Sequence, residues 1–193
     1  GKLMDAPPER AVRAANARKF SGRGLCMFLG LDADADELGI ENHNYFLYDT
    51  MDSVAQYEKM RTIRGNNVQA TVCLNRADPD CSPKGTAMMY FTTLYMSDDW
   101  ANVAPQDYFK TKTYVANKMI DRFERDTGAK LRGHIEEISV ATPMTYARYC
   151  GHPQGVIYGY ESQYWDGLMP RLQMMGEDYE NGVRCLLYTS PSP

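Results

Sequence analysis

An α+β architecture, a mixed or antiparallel sheet with helices packed on one face, follows from three features of this 193-residue chain. Its first half holds four strand-like segments with few helices between them, so neighbouring strands must pair antiparallel or mixed rather than through regular helical crossovers. Its second half turns to helix, with one long amphipathic stretch and one shorter stretch opened by Thr-Pro. A 44% share of hydrophobic residues is enough for a sizeable core.

The elements follow in chain order. Ala6-Pro7-Pro8-Glu9 opens a helix reaching about Lys19, where Ala- and Arg-rich content favours helix over strand. Residues 24–31 are a nearly continuous apolar run between glycines, which predicts a strand buried on both faces. Asp32, Asp34 and Asp36 then alternate as at the start of a calcium loop. Glu37, however, stands where the turn needs Gly, and His43 where a bidentate Glu would close the ligand set. A solvated loop leading into a Glu37-Leu38-Gly39 turn is the preferred reading. Residues 44–48 and 68–74 read as strands with a helix over 53–61 between them, and residues 86–96, rich in Met, Tyr, Phe and Thr, as a long strand. Pro105 starts a long helix that Gly128 stops. Tyr108, Val115, Met119 and Phe123 recur along it at steps of seven, four and four, so they share the face that packs on the sheet. Residues 135–141 alternate well enough for a further strand.

Composition excludes several functions. A net charge of -4, with Lys and Arg scattered, leaves no positive field for a phosphate backbone, so nucleic acid is not an expected partner. No apolar run approaches the roughly 18 to 20 residues of a membrane-spanning helix, while peripheral contact with a membrane stays open. Cys26, Cys73, Cys81, Cys150 and Cys185 are odd in number and contain no Cys-x-x-Cys pair. That argues against a disulfide framework or zinc site and for an intracellular, reducing setting. His43, His134 and His152 share no metal-ligand spacing, and no Gly-x-Ser-x-Gly elbow needs one of them as a base, so all three read as structural or surface residues and no metal is expected. Gly22-Arg23-Gly24 lacks a third glycine and precedes a strand, so it is not a dinucleotide-binding loop. Fourteen Tyr, six Phe and two Trp could line an apolar pocket, but core packing accounts for most of them. Met88, Met89, Met174 and Met175 likewise read as adaptable core.

The most informative stretch runs from Ala141 to Tyr160. Thr142 is placed to cap a helix, Pro143 fits its first position, and Gly151 can stop it in a left-handed conformation. Gly151, Gly155 and Gly159 then let backbone approach something that side chains would obstruct. A pocket role is reserved for the tyrosines of this stretch: Tyr146, Tyr149, Tyr158 and Tyr160.

A Thr-Pro helix followed by a Gly-x-x-Tyr-Gly corner resembles the late substrate-domain segment of the phytoene desaturase, carotenoid isomerase and retinol saturase branch of FAD-dependent oxidoreductases. The resemblance extends from about Arg18 to Arg184. It includes Phe20-Ser21 with the run from Leu25 to Leu31, the loop holding Asp78-Pro79 and Ser82-Pro83-Lys84-Gly85, and Gly182-Val183-Arg184. It implies that residues 1–184 are the substrate-domain portion of a two-domain flavoenzyme acting on a polyene or other isoprenoid. FAD would be bound mainly by elements upstream of Gly1 and beyond Arg184, making the chain an internal piece that is inactive alone. In such enzymes the flavin performs the hydride chemistry while the protein positions a hydrophobic substrate and excludes water, so no catalytic residue is assigned. Thr142, Pro143, Tyr146, Tyr149, Gly151, Gly155, Tyr158, Gly159 and Tyr160 are the expected substrate- or flavin-proximal residues. Residues 185–193, Cys-Leu-Leu-Tyr-Thr-Ser-Pro-Ser-Pro, break the preceding composition and read as a non-native, disordered tail, with a natural Ser/Pro tail as the alternative. Gly1 stands where an initiator Met would, and no secretory leader is visible. The alternative for the whole is a non-catalytic α+β module that binds a lipophilic ligand.

Overall fold

A computed structural model describes residues 9–161, which fall into two units, Gly22–Tyr158 and a second made of Gly1–Ser21 with Gly159–Pro193. The expected tail at 185–193 and the Gly182-Val183-Arg184 segment lie outside the described residues. In the second unit, α1 (Glu9–Asn16) occupies the centre of the helix expected over 6–19. There Phe20 and Tyr160 form an antiparallel bridge with rings stacked 5.4 Å apart. The Ser21 N–H donates to the Gly159 carbonyl at 2.9 Å, and the Glu161 N–H to that of Lys19 at 2.8 Å.

The larger unit is an antiparallel sheet with helices, an α+β fold. Its strands are β1 (Arg23–Leu31), β2 (Asn44–Leu47), β3 (Gln69–Cys73), β4 (Ala87–Tyr95) and β5 (Ile135–Ala141), in the order β2-β3-β4-β1-β5. Its helices are α2 (Ser53–Lys59), α3 (Tyr108–Thr127) and α4 (Pro143–Cys150). Period-two alternation decides which side of each strand is buried. Leu25, Met27, Leu29 and Leu31 of β1 point to one side with Ala87, Met89, Phe91 and Thr93 of β4, their register partners, and all eight are buried. α3 lies on this side, closing the core with Val115, Ala116, Met119, Ile120 and Phe123. The Phe123 ring meets Phe91 and Tyr45 edge-on, with centroids 5.5 and 5.0 Å away. Gly128 ends α3 in the left-handed region at φ 79°, its N–H donating to the Glu124 carbonyl at 2.8 Å.

β1 departs from expectation in one respect: it is buried on one face rather than two, with Cys26 and Gly30 half-covered and Phe28 47% exposed on the other side. A continuous apolar run describes the composition of both faces, but whether a second layer covers one of them is a property of the packing. The acidic loop after β1 is a turn rather than an ion cage. Asp34 Oδ1 accepts the N–H groups of Asp36 and Glu37 at 2.9 and 3.0 Å, and Asp36 pairs with Arg76 at 2.7 Å. Among the described residues no group of three His, Cys, Asp or Glu could hold a metal.

A polar layer fastens α3 to the chain preceding β3. Lys118 Nζ donates to the carbonyls of Arg64 and Asn66 at 2.7 and 2.8 Å. The buried Arg122 guanidinium donates to Asp49 at 2.7 Å, to Asp126 at 3.2 Å and to the Asn67 carbonyl. Burial pushes the Asp49 carboxyl up and its hydrogen bond from Asn67 and the charges of Arg122 and Lys59 pull it down, leaving it below the ordinary carboxylate range. Burial lowers the Lys118 ammonium.

Candidate functional site

Local chemistry builds the Thr-Pro helix as its sequence implies. Thr142 is fully buried and extended, the Thr145 N–H donates to its Oγ1 at 3.4 Å, and its own N–H donates to Thr145 Oγ1 at 3.1 Å, a reciprocal cap. The Tyr108 hydroxyl of α3 shares a hydrogen bond with Thr142 Oγ1 at 2.8 Å, tying the start of α4 to α3. Pro143 is buried at the first helical position and Gly151 closes α4 at φ 65°. The chain then turns through Gln154 and Gly155, both left-handed at φ 58° and 74°. A Cβ on Gly155 would lie 2.1 Å from the Pro143 carbonyl oxygen, so the close approach that needs glycine here is made by the chain to itself. At Gly151 and Gly159 nothing lies within 4 Å of a built Cβ, and the left-handed φ alone favours glycine.

The corner is laid along β1. Arg23 and Val156 form an antiparallel bridge, and the Ile157 N–H donates to the Gly22 carbonyl at 3.2 Å. Gly24 admits the Ile157 side chain, which would stand 2.8 Å from a Cβ. The buried Arg23 pairs with Asp98 at 2.6 Å and donates to Gln154 Oε1 at 2.6 Å, holding an uncommon left-handed glutamine in place. Gly22 and Gly24 are thus built into the strand and its partner and form no phosphate cradle at a helix N-terminus. Gly22-Arg23-Gly24 therefore does not fit the dinucleotide part of FAD.

Beside α4 lies the uncovered side of the sheet. Register places Phe46, Ala70, Thr92, Cys26 and Ala141 in one row across the five strands, and Val72, Tyr90 and Phe28 in the next. Phe46, Phe28 and Met88 on this side are 66%, 47% and 41% exposed, and the Phe28 and Tyr90 rings are 6.3 Å apart. Tyr146 of α4 reaches this side beside the Cys26 thiol, and burial together with that neighbouring thiol pushes its hydroxyl above the ordinary phenol range. It is therefore a neutral donor at any physiological pH.

The expected site residues therefore separate. Thr142, Pro143, Gly151 and Gly155 shape α4 and its corner, and Tyr146 points to Cys26, whereas Tyr149 and Tyr158 are exposed, Tyr149 under the Arg148 guanidinium at 5.7 Å. Gly159 and Tyr160 belong to the other unit. The open-side residues Cys26, Phe28, Tyr90 and Thr92 were not among those expected. Alternation along β1 and β4 hints at them, but only the strand register brings them together.

No protein-family model matches the chain. Curated proteins similar to it include the chloroplastic prolycopene isomerase of Daucus carota, 32% identical over 82 residues that make up 42% of this chain and 13% of that protein. The all-trans-retinol 13,14-reductase of Danio rerio is 25% identical over 151 residues, 70% of this chain and 25% of that protein. The chloroplastic prolycopene isomerase of Arabidopsis thaliana is 29% identical over 82 residues, covering 42% and 14% respectively. The chain is thus similar to members of the carotenoid isomerase and retinol saturase branch, and spans a quarter or less of the length of these relatives.

Proposed function

We propose that this chain is the substrate-domain portion of an FAD-dependent oxidoreductase or isomerase that acts on a polyene or other isoprenoid, and that the uncovered side of the sheet supplies a wall of the substrate pocket. The observation that carries the reading is a sheet with one side sealed by α3 and the other open at Phe28, Phe46 and Met88, uncharged along its two central rows from β3 to β1, where Phe28 and the half-buried Tyr90 pair beside the buried Val72. Such a surface takes apolar ligands and gives little to charged ones. Similarity to an isomerase of prolycopene and a reductase of all-trans-retinol supports the ligand class. α4 and its corner then border the ligand, with Thr142, Pro143, Gly151 and Gly155 as framework and Tyr146, Tyr149 and Tyr158 as the residues nearest substrate or flavin; Gly159 and Tyr160 are the proposed substrate- or flavin-proximal residues of the other unit. The flavin, held mainly by other parts of a longer polypeptide, would supply the hydride chemistry; the residues of this chain would bind and orient the substrate and keep water from it.

Peripheral membrane contact belongs to the same reading and is assigned to the corner between β2 and α2. Titration of the 193-residue chain with all-trans-retinol, followed by retinoid fluorescence, tests the pocket wall. Saturable binding that Phe28→Asp weakens at least about tenfold is the expected result, since a buried carboxylate without a partner opposes apolar contact. Failure to saturate, or indifference to Phe28→Asp, would remove the open side from the pocket.

A further inference from the structure

The open side carries a polar feature that distinguishes two kinds of apolar ligand, and its interpretation rests on the reading above. Thr92 of β4 and Cys26 of β1 are register partners there, with Oγ1 and Sγ 3.4 Å apart. The Tyr146 hydroxyl, on α4 packed against β1, lies beside the same thiol. Two hydroxyls thus neighbour one thiol, in the row next to the aromatic pair Tyr90 and Phe28.

Sulfur is a weak hydrogen-bond partner, and a threonine hydroxyl offers one donor and two acceptor sites, so contact with the thiol leaves Thr92 and Tyr146 with capacity to bond a further oxygen. No carboxylate, Lys, Arg or His stands in the row Phe46, Ala70, Thr92, Cys26, Ala141 or among Val72, Tyr90 and Phe28, and the exposed Glu137 enters this side only in the row of Gly30, so these two rows offer an uncharged ligand no charge to oppose it. A hydroxyl or carbonyl on an apolar chain meets both requirements. A pure hydrocarbon laid on the same surface would strip water from these hydroxyls and return nothing, which is how a site built for an oxygen rejects an analogue lacking it.

We infer that Thr92, Cys26 and Tyr146 form an oxygen anchor on the open side of the sheet, so that the chain selects a polyene bearing a hydroxyl or carbonyl over the corresponding hydrocarbon. Thr92 and Tyr146 would touch the ligand oxygen, and Cys26 would position both.

The test is a pair of titrations of the 193-residue chain, one with all-trans-retinol and one with the hydrocarbon of identical polyene skeleton in which hydrogen replaces the hydroxyl. Retinol is expected to bind about tenfold more tightly, the value of one net hydrogen bond. Thr92→Val and Tyr146→Phe should each bring the ratio towards one by weakening retinol while leaving the hydrocarbon unchanged. Phe28→Ala should weaken both ligands alike and keep the ratio. Thr92→Val preserves side-chain shape, so it decides the matter if Tyr146→Phe alters the melting temperature. Equal affinity of the unmodified chain for both ligands, or a ratio that survives Thr92→Val in a folded protein, overturns the anchor while leaving the apolar wall standing. Absence of binding by either ligand overturns the anchor and the wall together.

Discussion

Gly155 and Asp49 are single positions whose chemistry the rest of the unit depends on. At Gly155 both the left-handed φ of 74° and the 2.1 Å gap to the Pro143 carbonyl oppose any side chain. Gly155→Ala is therefore expected to destabilise by about 3 kcal/mol or more, because backbone must move as well as adopt strain. Gly151→Ala meets open space and bears only the left-handed penalty of about 1 kcal/mol. Urea unfolding of the two variants separates them, and equal losses would refute the close-approach argument. Asp49→Asn leaves the buried Arg122 with a weaker partner and is expected to cost about 2 kcal/mol at pH 7. Because the folded carboxyl titrates below its unfolded value of 3.8, its contribution is complete above that value and is lost as pH falls through the lower folded one. Stability curves of the two proteins should therefore converge on acidification below about pH 4 and run parallel above it.

At the scale of elements, α2 inverts the usual order of polarity. It buries Gln56 while Val54 is 72% exposed, and Met51 just before the helix, 99% exposed, extends the same apolar corner with Phe46 of the edge strand β2 and Tyr48 just after that strand. Amphipathic helices ordinarily turn such residues inward, and the membrane contact proposed above is assigned to this corner for that reason. Residues 46–64 balance three acids, Asp49, Asp52 and Glu58, against three bases, Lys59, Arg61 and Arg64, and a neutral corner meets no repulsion from an uncharged lipid surface. The chain is expected to co-sediment with phosphatidylcholine vesicles, and Met51→Asp to lower the bound fraction several-fold without shifting the melting temperature. Unchanged sedimentation of Met51→Asp would move the contact elsewhere. Element types in the larger unit were legible: the strands around 24–31, 44–48, 68–74, 86–96 and 135–141, the long helix stopped by Gly128 and the Thr142 cap all stand where hydrophobic period and capping chemistry put them. What periodicity could not supply was the outward face of α2, since a seven-residue helix gives too few turns to define a stripe.

For the molecule as a whole, the chain's share of its relatives bears on cofactor binding. Gly22 and Gly24 are committed to the edge with Ile157, whose N–H bonds the Gly22 carbonyl and whose side chain fills the space at Gly24, and form no phosphate cradle. The 193-residue chain is accordingly predicted to bind FAD weakly or not at all; near-stoichiometric yellow flavin absorbance after purification would contradict this. The amino-acid order by itself determined the α+β architecture, the caps and stops of α3 and α4, and the similarity to a carotenoid isomerase and a retinol reductase, because each rests on patterns local in sequence. Tertiary structure alone decided that β1 is open on one side and that Thr92, Cys26 and Tyr146 meet there. It likewise decided that Gly155 accommodates Pro143. The reason is physical: strand register and layer coverage are set by which distant segments pack together, and residues 26, 92 and 146 become neighbours only when β4 pairs with β1 and α4 folds back beside them.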